Sequence, residues 1–185
     1  MIDLVRAAST FQQELDARDL PNVVIGGLAL LAWGEPRVTR DIDLTVLTRF
    51  VDEEAKVRTI LELVTPRVSD ALAFALANRV ILGHLDGQVP VDVGIGGFPF
   101  EELVVQRAVG MEFAPSIRLR ICTAEDLVVM KVFAGRERDW LDVIGVLARQ
   151  PDLEWEQIET DLVPLLELSG FPERWMRIQA LKAAI

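Results

Sequence analysis

The run Val23-Val24-Ile25-Gly26-Gly27-Leu28-Ala29-Leu30, followed by Arg37-Val38-Thr39-Arg40-Asp41-Ile42-Asp43-Leu44, decides the fold. Three consecutive β-branched residues predict a buried strand. Gly26-Gly27 ends it, and residues 28–33 follow as a short helix. Gly34-Glu35-Pro36 is a loop signal. Residues 41–47 predict a second strand with strict alternation: Asp41, Asp43 and Thr45 face one way, Ile42, Leu44 and Val46 the other.

This order carries a chemical expectation. A strand that ends in two glycines lets the next helix present its N-terminal amides with no side chain in the way of a phosphate. Asp41 and Asp43 project from the same side of one strand, and two like charges so close need a neutralising cation. A hard divalent ion, Mg²⁺ or Mn²⁺, is the natural partner, held by carboxylates and substrate phosphate oxygens. Arg37 and Arg40 add positive charge beside the pair, with Thr39 between them. Asp92 lies in Val89-Pro90-Val91-Asp92-Val93-Gly94-Ile95, an acid in an otherwise apolar strand. If that strand pairs beside the Asp41–Asp43 strand, three acids form a two-metal cluster with a base near an attacking hydroxyl. An isolated Asp-x-Asp is more often a solvated strand end, and the combination of features outweighs that reading here.

Outward from this centre, residues 3–18 predict an amphipathic helix and 52–64 a surface helix. Residues 79–85 and 88–95 predict a hairpin turning at Asp86-Gly87. A helix near 100–107 and a strand over 116–122 lead to the longest expected helix. Thr123 caps it, with Asp126 three residues on, and it runs to about residue 148, where Pro151-Asp152 stops it. On its wheel Lys131, Gly135, Arg138 and Asp142 share a polar face, and Met130, Ala134, Leu141, Ile144 and Ala148 share an apolar one. A glycine inside a helix costs about 1 kcal/mol relative to alanine, which points to close approach by another group. Residues 154–168 and 172–184 predict two terminal helices. The expected architecture is α/β (α+β): a mixed-sheet core over 1–122 flanked by helices, and a helical part over 123–185 packed on it.

Composition bounds the function. The 185 residues carry 29 acidic and 19 basic side chains, a net charge of −10, which argues against nonspecific coating of nucleic acid but not against a local phosphate pocket. Half the residues are hydrophobic (51%), which excludes a disordered chain. The N-terminal residues lack the basic and apolar regions of a signal peptide, and no apolar run approaches the roughly 18 residues of a membrane span, so a cytoplasmic protein is expected. Cys122, beside Ile121, reads as a small core residue, and His84, the lone histidine, as structural. Gly94-Ile95-Gly96-Gly97 opens no long helix and is a poor dinucleotide fingerprint. Trp140, Trp155 and Trp175 fall at helical core spacings.

The Gly-Gly turn followed by Thr39-Arg40-Asp41-Ile42-Asp43 resembles the signature of the nucleotidyltransferase superfamily that includes DNA polymerase beta and the aminoglycoside nucleotidyltransferases. In particular it resembles the bacterial AbiEii-type branch. The resemblance covers roughly residues 20–148. It implies that Gly26 and Gly27 contact phosphates of a nucleoside triphosphate, that Asp41 and Asp43 hold Mg²⁺, and that Asp92 is the third acid and candidate general base. The wider superfamily often has Ser where this chain has Gly27, so a hydroxyl contact to phosphate is missing. AbiEii-like proteins carry a similar Lys…Arg-x-x-Asp-x-x-Asp helix, which implies that Lys131 meets the nucleotide. Arg136, Asp139 and Asp142 would form an electrostatic network steadying the site.

The implied activity is transfer of a nucleoside monophosphate to an acceptor hydroxyl: a tRNA 3′ end, a small molecule or a protein. The implied setting is a toxin with an antitoxin partner. Two rivals differ in class. A noncatalytic module of the same fold, serving as an antitoxin or complex subunit, would not need all three acids. A glycosyltransferase also uses Asp-x-Asp, but the nearby Gly-Gly turn and the short chain disfavour it.

Overall fold

The computed structural model describes residues 1–86 and 88–184. The chain divides into two compact units, one of Met1–Leu28 with Val38–Cys122 and one of Ala29–Arg37 with the residues from Thr123 onward. The segment 29–37 therefore belongs with the helical unit rather than with the sheet.

The first unit is a mixed sheet. Among the described residues it has seven strands: β1 (Asn22–Val24), β2 (Ile42–Leu47), β3 (Thr65–Pro66), β4 (Val80–Leu85), β5 (Val89–Gly96), β6 (Val109–Ala114) and β7 (Ile117–Ile121). Their order across the sheet is β3-β4-β5-β2-β1-β7-β6. β2 runs antiparallel to β1 and parallel to β5, so the two predicted central strands lie at the middle, with the Asp92 strand beside them. β4 and β5 pair antiparallel as the hairpin reading expects, although Gly87 of the proposed turn lies outside the described residues. Apolar rows cross the centre, Leu44 opposite Val93 and Val46 opposite Ile95, all essentially buried.

Helix α1 (Ile2–Asp16) packs on β1 and β7 through Val5, Ala8, Phe11 and Leu15. The one polar residue on that face, Gln12, donates to the Asn22 side chain (2.9 Å) and the Arg120 carbonyl (3.0 Å) and accepts from the Arg120 amide (2.9 Å). Burying an amide side chain is tolerable only when its bonds are satisfied in this way. Helices α3 (Glu53–Leu61), α4 (Ala71–Asn78) and α5 (Pro99–Arg107) complete the unit. β3, α4 and β6 have no counterpart in the sequence reading.

Helix α2 (Gly26–Trp33) begins at the glycines themselves and carries the chain out of the sheet unit. The second unit continues with α6 (Ala124–Ala134), α7 (Glu137–Arg149), α8 (Trp155–Ser169) and α9 (Glu173–Ala184). Thr123 caps α6 as expected, accepting from the Asp126 amide at 3.1 Å. The single long helix is corrected to two. Gly135 adopts φ +64° and ends α6, with its amide donating to the Lys131 carbonyl at 2.9 Å. This left-handed C-cap is the conformation that glycine supplies most cheaply. The close approach inferred at this glycine is also present: a Cβ there would run into the Arg174 guanidinium.

The break also corrects the apolar face. Leu141 (69% exposed) and Ile144 (39%) face outward, whereas α7 buries Asp139, Trp140, Asp142, Val143, Val146 and Leu147. A wheel drawn through the break misplaces Leu141, Asp142, Ile144 and Ala148, whereas Arg138 is exposed as expected. Arg177 stacks on Trp140 at 4.1 Å and Lys182 on Trp155 at 4.1 Å, so neither indole is an open platform. No helix of the described residues is long and apolar enough to cross a membrane.

Candidate active site

The first group of predicted residues meets where α2 starts beside β2. Gly26 has φ +60°, and a Cβ on it would collide with the Asp43 carboxylate; one on Gly27 would collide with the Thr39 hydroxyl. Both glycines are thus explained by close approach of the chain's own side chains. The Gly27 amide donates to Asp43 Oδ2 at 3.3 Å, which sets a carboxylate against the positive end of the helix. Buried Thr39 donates to Asp41 Oδ1 at 3.2 Å and so holds the first acid of the pair. Arg40 is exposed between them.

Asp92 reaches this place through sheet register. Asp43 and Asp92 are Cα partners in the parallel β2–β5 ladder, and such partners share a face. Burial pushes the Asp92 carboxyl above the ordinary carboxylate range; Arg67 opposes that shift, and the negative charge of Asp41 adds to it. Arg67, absent from the sequence reading, forms a hydrogen-bonded ion pair with Asp92 Oδ1. No local motif marks it. Its only sequence sign is a position just after Thr65-Pro66, where proline suits an edge strand.

Among the described residues no three His, Cys, Asp or Glu side chains form a ready metal cage. The donor chemistry nevertheless fits a hard divalent cation. Carboxylate oxygens of Asp43 and Asp92 share a face, and Asp41 lies close enough to raise the Asp92 carboxyl by like-charge repulsion.

The second group gathers in the helical unit. Asp142 accepts from Arg37 Nε (2.9 Å) and Nη2 (3.1 Å), a two-pronged pair, and from Lys131 Nζ (2.8 Å). Lys131 Nζ also reaches Asp139 Oδ1 (3.1 Å), and Asp139 Oδ2 accepts from Arg136 Nε (2.6 Å). The helix break is what lets Lys131 on α6 meet two acids on α7. Both carboxyls are almost fully buried. Burial alone would push them up, but hydrogen bonds and charges from Arg37 and Lys131 on Asp142, and from Arg136 and Lys131 on Asp139, hold them below the usual range. The network anticipated for Arg136, Asp139 and Asp142 therefore takes in Arg37 and Lys131 as well.

A family model described as nucleotidyl transferase AbiEii toxin, type IV toxin–antitoxin system, matches residues 10–167. The chain belongs to the AbiEii nucleotidyltransferase toxin family. Three solved structures share the fold of this AbiEii member. An antigenic nucleotidyltransferase-like protein from Paracoccidioides brasiliensis aligns with 97% of this chain and 92% of its own, at 17% identity and a TM-score of 0.58. A solution structure of the antibiotic-resistance factor ANT(2'')-Ia aligns with 98% and 97%, at 17% identity and a TM-score of 0.53. A crystal structure of ANT(2'')-Ia in complex with adenylyl-2''-tobramycin aligns with 91% and 99%, at 13% identity and a TM-score of 0.54. No curated protein matches the AbiEii member's sequence significantly.

Proposed function

We propose that this AbiEii-family chain moves a nucleoside monophosphate from a nucleoside triphosphate to an acceptor hydroxyl with the help of a divalent cation, Mg²⁺ or Mn²⁺. The observation that carries the reading is the Asp43–Asp92 register beside the Gly26-Gly27 turn, with Asp41 held next to them by Thr39. Asp41, Asp43 and Asp92 would hold the cation. When bound, it would supply charge neutralisation and alignment of the triphosphate.

The chain's own residues do the rest. The acceptor oxygen forms a bond to the α-phosphorus, the bond from that phosphorus to the bridging oxygen breaks, and pyrophosphate leaves. Asp92, whose carboxyl is raised, takes the proton of the acceptor hydroxyl. Gly26 and Gly27 give the Asp43 carboxylate and the Thr39 hydroxyl room to sit against the start of α2, and exposed Arg40 offsets phosphate charge. Thr39 keeps Asp41 in place.

The family description supports a toxin with an antitoxin partner. The acceptor is a hydroxyl on a tRNA 3′ end, a small molecule or a protein side chain. ANT(2'')-Ia, crystallised with an adenylylated tobramycin, shares the fold and supports the small-molecule arm. The test is incubation with each labelled nucleoside triphosphate, Mg²⁺ and, separately, total RNA, total protein or tobramycin. Transfer to one acceptor, abolished by EDTA and by Asp41→Asn, is the expected result. No transfer with any nucleotide and acceptor, together with biological effect unchanged by Asp41→Asn, would overturn the enzyme reading in favour of a noncatalytic module.

A further inference from the structure

We propose that Arg67 is a positioning residue of this site, one that holds Asp92 in competition with the divalent cation and thereby sets how tightly the cation binds. The inference rests on the nucleotidyltransferase reading above. It starts from a single line of residues across four strands. Thr65 and Pro66 of β3 pair with His84 and Gly83 of β4, and the Arg67 amide continues the ladder by donating to the Leu82 carbonyl at 2.9 Å. Leu82 is the partner of Asp92 on β5, and Asp92 is the partner of Asp43 on β2. Register partners point to the same face. Strands lie about 4.8 Å apart, so the Arg67 and Asp92 backbones are separated by roughly two spacings, a gap that an arginine side chain crosses. The guanidinium reaches the carboxylate and pairs with it.

The charges determine the consequence. Asp41, Asp43 and Asp92 bring three negative charges, and Arg67 cancels one of them in direct contact with a proposed ligand. A cation entering here meets a guanidinium already bonded to one donor oxygen and repelling the newcomer. Replacing Arg67 by an uncharged side chain frees the Asp92 oxygen and deepens the negative potential. A purely structural Arg67, tying edge strand β3 to the sheet, would change stability and leave cation affinity alone.

The experiment is titration of the full chain with Mn²⁺, without nucleotide, read by electron paramagnetic resonance of the free ion. Folding is verified by circular dichroism. Arg67→Met is expected to tighten Mn²⁺ binding about tenfold, the scale on which groups contacting metal ligands act. Arg67→Gln provides a second neutral variant should the methionine chain not fold. Arg67→Lys keeps the charge and stays within about threefold of the original. Asp92→Asn combined with Arg67→Met gives no gain, because the freed donor is gone. Unchanged or weaker Mn²⁺ binding in both neutral variants, with Asp43→Asn still abolishing it, overturns the role of Arg67 and leaves the function standing. Absence of Mn²⁺ binding in the original chain and in every variant overturns both.

Discussion

Asp142→Asn is the sharpest probe of the helical unit. It leaves size and shape nearly unchanged and removes one of the two negative charges that face Arg37, Lys131 and Arg136. The carboxylate is 5% exposed and accepts three charge-assisted bonds. An asparagine can still accept through its one carbonyl oxygen, while its NH₂ group faces donors. Oδ2 takes two of the three bonds, from Arg37 Nη2 and Lys131 Nζ, so a carbonyl oxygen in its place keeps them. The bond from Arg37 Nε to Oδ1 is lost and two donors then face each other there, a loss of about 1.5–3 kcal/mol for a charged partner. Relief of the carboxylate's burial cost returns part of that. The net loss should be about 1–2 kcal/mol at pH 7, a drop in Tm of roughly 2–8 °C for a chain this size. The pH dependence is distinctive. Asp139 and Asp142 both titrate below the ordinary carboxylate range when folded, so the unfolded chain binds protons first as pH falls. Their stabilisation is complete above the unfolded value of about 3.9 and disappears as pH drops through the lower folded values. Urea denaturation of the original and of Asp142→Asn should thus give curves separated at pH 7 that converge below about pH 4. A difference under 0.5 kcal/mol at pH 7, or a gap that persists undiminished at pH 3, would refute the network.

Three further perturbations test other parts of the structure. Gly135→Ala should destabilise by about 1–2 kcal/mol, the cost of a left-handed residue with a side chain, and urea midpoints decide it. An uninterrupted helix would instead be stabilised by about 1 kcal/mol, so the sign alone discriminates. Thr123→Ala should cost about 1 kcal/mol and Thr123→Ser almost nothing, because the hydroxyl that caps α6 is lost in one and kept in the other. Asp41→Asn removes a like charge that raises Asp92, so the Asp92 carboxyl should titrate lower in a carbon-13 NMR titration. No movement would separate the two acids.

The features legible in the sequence were those with a local cause. The strand before Gly26, the alternation through Asp43 and the cap at Thr123 each follow from residues within a few positions of one another. What escaped had causes elsewhere in the chain. β6 is an edge strand, largely exposed, with Gly110 near its start, and it exists because β7 offers it a ladder. α4, Ala71-Leu72-Ala73-Phe74-Ala75-Leu76-Ala77-Asn78, is apolar on every side and so carries no helical periodicity. Gly135 was visible, but a glycine in a helical pattern costs too little to force a break, and the turn is completed by Arg174 from α9.

The candidate site divides along the same line. Alternation along a strand tells which residues share a face, but it does not tell which strand lies beside it or in what register. A shift of one residue between β2 and β5 would set Asp43 opposite an apolar neighbour and send Asp92 to the other face. The pairing of the two acids is therefore a property of the crossover between the strands, and it is specified by the apolar rows Leu44–Val93 and Val46–Ile95, which have no chemistry of their own. Arg67 depends on one register more, the two-residue β3 on β4. That is why an arginine 25 positions from Asp92 faces its carboxylate with no motif to announce it. The core fixes the ladder, and the ladder delivers Arg67, Asp92 and Asp43 to one line. Substitutions in the apolar rows that change volume should then disturb the site before they unfold the sheet.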